Sequence, residues 1–438
     1  MIVPRIQLMI GIALALPFVL LASAPSVTVF CAVLLGAFVL IVIADALLGP
    51  ARLRGIRIEA PPLIRLTAKK EGEVILRIQN ASRERKKIRI GLAFPPDFES
   101  EKQNIEVDLP HDSEFSQIAW KCKPLKRGRF SLTKCFFESR SALGFWDVRT
   151  SSRFESEIRV YPNLLEERKR LAAIFLNRGG AGIHVRRMIG QGREFEKLRE
   201  YIPGDSFDQI HWKATAKRGK PVTKLFQIER TQEIYCCIDF SRLSAQEQNS
   251  KPLLERFLTA SLVLGLVAQQ QGDLYGLLTF SDRVQSFLRA RSGKAHYATC
   301  RDAIYRLTPQ IVNPDFNDLC SFIRLRLRRR ALLVILTDLG DPVLSESFLR
   351  NVRMIARQHL VLVNMVRPEY AFPLFSKPDV SSTNDLYRRL SGHLFYQDLL
   401  QLKRSLENLG ISFNMLENEK LAAEIVSQYL RVKQLQLL

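Results

Sequence analysis

Two apolar runs at the N-terminus constrain this chain more than anything that follows them. Ile6–Ala24 is an uncharged and almost wholly apolar run, and Val27–Leu48 is a second, broken only by the charge of Asp45 near its end. Each approaches the roughly 20 residues that a helix needs to cross a bilayer. Only Pro25 and Ser26 separate them, which leaves room for a tight turn and nothing more. Pro17 inside the first run is tolerable, because neighbouring helices in a membrane can satisfy the backbone groups it frees. A cleaved signal peptide is the other reading of the first run, with Arg5 as its basic head and Ala22-Ser23-Ala24 as its cleavage site. The second run, following at once, argues for a transmembrane helical hairpin over residues 1–54 instead. Charge sets its orientation. Arg5 precedes the first run, Arg52, Arg54 and Arg57 follow the second, and the turn between has none. The positive-inside rule then puts both ends, and everything after Arg52, in the cytoplasm of a multi-pass inner-membrane protein.

The cysteines agree with that side. Seven are scattered (Cys31, Cys122, Cys135, Cys236, Cys237, Cys300, Cys320) with no C-x-x-C spacing, so neither a zinc site nor a disulfide framework is written here. Reduced thiols fit a cytosolic compartment, and Cys236 and Cys237 read as buried strand residues.

Residues 55–163 predict an all-β domain, a β-sandwich of immunoglobulin-like type. Glu73–Gln79, Lys87–Phe94, Ile105–Leu109, Phe115–Cys122, Gly128–Phe137 and Ile158–Tyr161 are short alternating runs, punctuated by Asn80, Pro95-Pro96, Pro110 and Pro124. No catalytic constellation lies there. A connector follows over 164–232. Leu164–Leu176 reads as a helix, Gly179–Gly182 as a break, and His184–Gly192 as a basic stretch whose GQGRE lacks the trailing Lys-Ser/Thr of a phosphate loop. From residue 233 to 438 apolar strands alternate with helices: Ile234–Ile238, Leu274–Phe280, Val284–Leu288 at an edge, Ala331–Thr337, Leu360–Val366 and Ile411–Met415. That alternation predicts a doubly wound, Rossmann-like α/β sheet with both faces covered.

Inside the connector, Leu198–Lys220 (LREYIPGDSFDQIHWKATAKRGK) is the most distinctive string. Pro203-Gly204 ends its first element and Asp205 is placed to start the next turn. Trp212, flanked by Lys213, Lys217, Arg218 and Lys220, is expected to pin the segment. The string resembles the motif of the bacterial and archaeal family catalogued as domain of unknown function 58. Leu198, Arg199, Tyr201, Gly204, Asp205, Ile210, Trp212 and Ala216 fit its pattern. Asp208 and Lys217 stand where the family has Arg. PLKRGRF at Pro124–Phe130 and SALGFW at Ser141–Trp146 also look like the sandwich that precedes the motif in this family. The resemblance covers nearly all of the chain after the apolar runs, but the family has no assigned chemistry. It implies a docking role for Arg199, Tyr201, Gly204, Asp205, His211 and Trp212. Its members are commonly encoded beside MoxR-type AAA+ ATPases, which implies such an ATPase as partner.

The order of elements in the last domain resembles the von Willebrand A fold. In an open doubly wound sheet, ligands sit beyond the carboxyl ends of the strands where the winding reverses. With a 3-2-1-4-5-6 order, the reversal falls between the strand ending Asp239-x-Ser241 and the one ending Thr337-Asp338. Carboxylates and hydroxyls there suit a hard cation, Mg²⁺ above all. This resembles a metal-ion-dependent adhesion site, with Asp239, Ser241 and Asp338 at matching positions and Thr337 and Ser244 beside them. The pattern departs from that site in two places. Leu243 occupies the second serine position, leaving Ser244 one place late. The loop threonine is expected near Ser292-Gly293-Lys294, where none occurs and where Lys294 could set an ammonium in place of the ion.

Hydrolase chemistry finds less support. No Gly-x-Ser-x-Gly elbow or His-Glu-x-x-His occurs, and His211 is the one candidate base for a metal-dependent hydrolase built on the same carboxylates. The surplus of 65 Lys and Arg over 44 Asp and Glu, net +21, favours anionic lipid or an acidic protein face. Arg324, Arg326, Arg328, Arg329 and Arg330 form the densest run. It suits a helix C-terminus or an anionic contact, and it lacks the interleaved aromatics that would favour nucleic acid. The sum is a membrane-anchored interaction protein, a scaffold or adaptor rather than an enzyme.

Overall fold

A computed structural model describes residues 1–21, 28–83, 85–111, 113–165, 167, 169, 189–190, 194–202, 206–227, 232–248, 251–374, 376 and 382–435. Most of the 164–192 connector, and Gly204 and Asp205, lie outside these residues. The chain divides into two compact units, Met1–Asn163 and Leu164–Leu438.

The first unit opens with a strand that no periodicity announces, β1 (Ile2–Pro4), followed by α1 (Ile6–Leu21) and α2 (Thr28–Leu48). Among the described residues, one helical stretch, Thr28–Leu53, is long and apolar enough to cross a membrane. The apolar part of α1, Ile6–Pro17, is shorter. Of the two spans expected, only the second, Thr28–Leu53, meets the length and composition that a crossing needs, and the hairpin is not shown. Nine strands follow: β2 (Ile56–Glu59), β3 (Leu63–Thr67), β4 (Gly72–Asn80), β5 (Lys86–Leu92), β6 (Phe98–Glu99), β7 (Asn104–Leu109), β8 (Phe115–Pro124), β9 (Gly128–Arg140) and β10 (Trp146–Tyr161). They form two largely antiparallel sheets, β1-β10-β9-β5-β7 with β3 beside β10, and β2-β4-β8-β6. The alternation in β4 shows why. Val74, Leu76 and Ile78 are fully buried while Glu73, Ile75 and Arg77 face out. They share one core with Trp120 and Cys122 of β8, Ile88 and Ile90 of β5, and Leu132 and Phe137 of β9.

The start of α1 and the end of α2 meet on the same β9–β10 turn. Asp45 of α2 is buried. It accepts hydrogen bonds from Ser141 Oγ at 2.6 Å, Leu143 N at 2.9 Å and Phe145 N at 3.3 Å. The Trp146 indole donates to the Val42 carbonyl at 3.0 Å, and the Arg5 N–H to the Phe145 carbonyl at 3.0 Å.

In the second unit, β11 (Ile189–Gly190), β12 (Glu194–Glu200) and β13 (Val222–Gln227) form a small antiparallel sheet with α3 (Trp212–Arg218) between β12 and β13. Next comes β14 (Glu233–Asp239). The two-residue strands β15 (Glu247–Gln248) and β16 (Lys251–Pro252) pair with each other and lead into α4 (Leu253–Gln270). β17 (Leu274–Phe280), β18 (Val284–Arg291), α5 (Lys294–Ile304), α6 (Phe316–Arg326), β19 (Leu332–Leu336), α7 (Pro342–Ala356), β20 (Leu360–Val366), α8 (Thr383–Glu407), β21 (Ser412–Leu416) and α9 (Leu421–Leu435) complete it. The sheet order is β18-β17-β14-β19-β20-β21, the expected 3-2-1-4-5-6. It is mixed, because β18 runs antiparallel to β17. The continuous apolar strands are buried on both faces, as a doubly covered sheet requires. Cys236 packs with α4, α5 and α9, and its neighbour Cys237 with α6, α7 and α8.

Candidate functional site

The winding reverses between β14 and β19, which lie side by side in parallel register with Ile238 opposite Leu336. That register brings the next residues of each strand, Asp239 and Thr337, into contact. Thr337 Oγ1 donates to Asp239 Oδ2 at 2.6 Å, and the Ser241 N–H to Asp239 Oδ1 at 2.8 Å. Asp239, Ser241 and Thr337 have no exposed surface and Asp338 has almost none. The sequence therefore located a real juxtaposition, but the carboxylates lie beneath the rim rather than on it.

Burial pushes the Asp239 carboxyl above the ordinary carboxylate range, against the hydrogen bonds from Thr337 and Ser241. Asp338 is pushed up to about 6, first by burial and then by repulsion from Asp239 and Asp341, with the Gly340 N–H at 2.9 Å opposing the rise. Two buried carboxyls that resist ionisation form a site where a cation would be welcome. The donor set fits a hard divalent ion through Asp239, Asp338, Ser241 and Thr337. Among the described residues no three His, Cys, Asp or Glu side chains gather to hold a metal, so the hydroxyls would have to contribute. Ser244 is turned away. It sits in the 3-10 turn Arg242–Ala245, and its hydroxyl donates to the Ser241 carbonyl at 2.8 Å.

The structure corrects the expectation for Lys294. Arg291, at the end of β18, pairs with Tyr275, which in turn lies opposite Ile234 at the start of β14. Ser292-Gly293-Lys294 is thus at the opposite end of the sheet from Asp239. Lys294 is exposed at the first position of α5. An edge strand running antiparallel carries the chain away from the ligand end before α5 brings it back. The segment that does cover the strand tips is Tyr305–Asp315. Its Gln310 N–H bonds the Phe240 carbonyl at 2.7 Å, its Val312 carbonyl accepts from Arg242 N at 3.0 Å, and its Asp315 N–H bonds Ser281 O at 2.8 Å. A cation at the rim is Arg242, which bonds Asn313 and pairs with Asp341 at 3.3 Å. Neither Arg242 nor this loop was singled out by the sequence. The only signal for Arg242 is that it follows a strand at the ligand end; the loop links α5 to α6 and carries no such signal.

Around this closed acidic centre stand bare apolar side chains on three connections at the strand ends. Ile311 is 94% exposed, Val343 at the start of α7 is 75% exposed, and Tyr370 after β20 is 58% exposed. The Tyr370 ring packs 5.4 Å from Phe395 of α8.

The family motif lies elsewhere in the unit. His211 is the N-cap of α3, its Nδ1 accepting from the Ala214 N–H at 3.1 Å, so one ring nitrogen already has a structural task. Trp212 does not pin the segment. It is 69% exposed, and the buried positions among the described residues of the segment are Ile210, Val222 and Thr223. A short helix standing on a two-strand ladder buries none of its own residues, which leaves its first side chain bare. Tyr201 is half-buried and stacks 6.2 Å from the exposed ring of Phe207, and Arg199 is half-buried on β12.

Comparison with solved structures finds likeness to an aerotolerance-related membrane protein from Bacteroides fragilis, crystallised with multiple mutations to serine. The identity is 13%, the TM-score 0.30, and the match covers 45% of this chain and 97% of that one. A conserved hypothetical protein, BatB, from Bacteroides thetaiotaomicron is similar at 14% identity and a TM-score of 0.30, over 46% of this chain and 98% of that one. Proximal thread matrix protein 1 from the mussel byssus, with a zinc-occupied MIDAS motif, is similar at 16% identity and a TM-score of 0.25, over 45% of this chain and 44% of that one. No curated protein matches. A family match spans the motif and most of the α/β sheet: residues 197–376 match the family described as protein of unknown function DUF58.

Proposed function

We propose that this protein is a membrane-anchored cytoplasmic interaction protein, a scaffold or adaptor, whose α/β unit receives a protein partner on the rim around Asp239 and Asp338. The observation that carries this is the set of bare apolar side chains, Ile311, Val343 and Tyr370, at the ligand end of a sheet whose polar centre is closed. Large apolar residues left bare at one end of a fold mark a surface made for contact. The family resemblance supplies a MoxR-type AAA+ ATPase as the partner to test first.

A divalent ion, Mg²⁺ by donor chemistry, would be held by Asp239, Ser241, Thr337 and Asp338 and would neutralise the buried carboxyls beneath the rim. Anchoring rests on α2. The docking of Arg5 and Asp45 on one turn supports a two-helix hairpin, because both helix ends then emerge on the same side of the bilayer. The arginines after α2 favour the cytoplasmic side. A second contact, with anionic lipid, suits the hollow lined by Arg289, Arg326, Arg328 and Arg329.

Co-purification of the full-length chain with a MoxR-type ATPase tests the reading. The double variant Ile311→Glu/Val343→Glu is expected to lose the partner while the fold is kept, since both side chains are bare. A complex that survives both this variant and Asp239→Asn/Asp338→Asn would remove the rim from the account.

A further inference from the structure

We infer that the β9–β10 turn, Ser141–Trp146, is a wedge seated in the bilayer beside the two apolar helices, so that the first β unit is partly embedded rather than suspended above the membrane. This rests on the reading of α2 as a membrane span.

The geometry points there from three sides. The first is depth. Asp45 and Arg5 hold the turn at the helix ends, yet the Phe145 ring packs edge-on against Phe38 with centroids 6.1 Å apart. Phe38 lies seven residues inside Asp45, which is about 10 Å along a helix axis. Gly11 of α1 is at the same level, its Cα facing the Phe38 ring. The turn thus runs alongside the apolar section of α2. Were α2 to cross from Thr28 to Leu48, the turn would reach well into one leaflet.

The second is polar satisfaction. Irregular backbone survives at membrane depth only where protein groups meet its N–H and C=O. The N–H groups of Leu143 and Phe145 go to Asp45, and the Phe145 carbonyl takes the Arg5 N–H. The Trp146 N–H goes to Ser141 Oγ at 3.0 Å, and Ser141 N bonds the Trp146 carbonyl at 2.8 Å. The Trp146 indole is held by Val42, and Arg52 reaches the Arg140 and Ser141 carbonyls at 3.3 and 3.4 Å. Asp45, which looks from the sequence like a flaw in an apolar helix, is the acceptor for two of the turn's N–H groups and for the Ser141 hydroxyl.

The third is composition. From Ala142 to Phe145 the turn is Ala-Leu-Gly-Phe, with no charge, and Leu143 at its tip is 57% exposed. Arginines 5, 52, 140 and 149 flank its base, where anionic headgroups would lie. Trp146 occupies the amphipathic position that tryptophan favours at a membrane interface.

All seven native cysteines are buried, so an introduced cysteine can be labelled selectively in the native full-length protein. An environment-sensitive fluorophore at Leu143→Cys is examined in phosphatidylcholine–phosphatidylglycerol vesicles, against the same label at Ile41→Cys on the exposed side of α2 and at Phe115→Cys on the exposed side of β8. The expected result is that Leu143→Cys is blue-shifted, is quenched by a nitroxide placed near the headgroup end of the acyl chain, and is protected from aqueous iodide. Ile41→Cys should be quenched by a deeper nitroxide, and Phe115→Cys by iodide alone. If Leu143→Cys is open to iodide while Ile41→Cys is lipid-quenched, the wedge is overturned and the anchor stands. If neither site is lipid-quenched, the anchor itself is overturned. Shielding of Leu143→Cys from both quenchers would mean that protein, not lipid, covers the turn, and would also overturn the inference.

Discussion

Asp338→Asn should make the α/β unit more stable, and by an amount that depends on pH in a fixed direction. In the fold, burial and the nearby Asp239 and Asp341 push the Asp338 carboxyl up to about 6, from an ordinary 3.8. A carboxyl raised in the folded state supports the fold below its unfolded pKa, and that support is lost as pH rises through about 6. The shift is about two units at about 1.4 kcal/mol each, so ionised Asp338 costs the unit up to about 3 kcal/mol at pH 8. Asparagine removes the charge and keeps an oxygen to accept the Gly340 N–H. The cysteines provide the assay. Cys236, Cys237, Cys300 and Cys320 are buried in the α/β unit, and Cys122 and Cys135 in the first β unit. Labelling of the first four, resolved by mass in the chelator-treated full-length protein, reports opening of that unit. The variant should label up to about 100-fold more slowly than the parent at pH 8 and only a few-fold more slowly at pH 4, with Cys122 and Cys135 unchanged at both. Replacing the chelator with Mg²⁺ should slow labelling of the parent and leave the variant alone. A variant that labels faster than the parent at pH 8, or gains equally at both pH values, would refute the claim that these carboxyls sit buried and uncompensated.

The two neighbours at the head of α3 should separate in their effects. Trp212→Ala should change thermal stability by less than about 0.5 kcal/mol, because the indole is bare, whereas His211→Ala should cost about 1 kcal/mol through the lost cap, read as faster hydrogen exchange across Trp212–Arg218. Asp273→Asn should cost about 3 kcal/mol in the same thiol-labelling assay, because buried Asp273 pairs with Lys433 at 2.7 Å and accepts from Tyr429 and the Gln232 N–H, tying α9 to the start of β17.

What could be read from the sequence was what repeats. Val74, Leu76 and Ile78 alternate, so β4 and its sheet were legible. The uninterrupted apolar runs of β14 and β19 announced a doubly covered sheet, and the 3-2-1-4-5-6 order assumed for such a sheet is the one observed. Once β14 and β19 are neighbours, Asp239 and Thr337 must meet, because each follows directly on a paired strand end. Ile2–Pro4 is too short to show a period, and only its pairing with β10 makes it a strand. The direction of β18 is written in no pattern of its own residues. An edge strand reads alike either way, so Ser292–Lys294 was placed at the wrong end of the sheet. Trp212 failed for a different reason. A large indole is ordinarily buried, and its exposure follows from a helix of seven residues with nothing packed over it.

Asp45 joins these cases into one argument. A charge inside an apolar helix has two physical outcomes: it ends the span, or it finds partners where water is scarce. Sequence alone cannot choose, because the partners are Ser141, Leu143 and Phe145, about 100 residues away, and two of the three donate through backbone N–H groups that any residue would supply. Long-range contacts made through side-chain identity leave a trace in composition, and those made through backbone leave none. The same holds at the rim, where the Tyr305–Asp315 loop is held over the strand tips by main-chain bonds to Phe240, Arg242 and Ser281. In both places the residue that could be picked out by its chemistry, Asp45 or Asp239, was visible, and the backbone that closes around it was not. The closing backbone decides whether each carboxylate meets water, lipid or a partner.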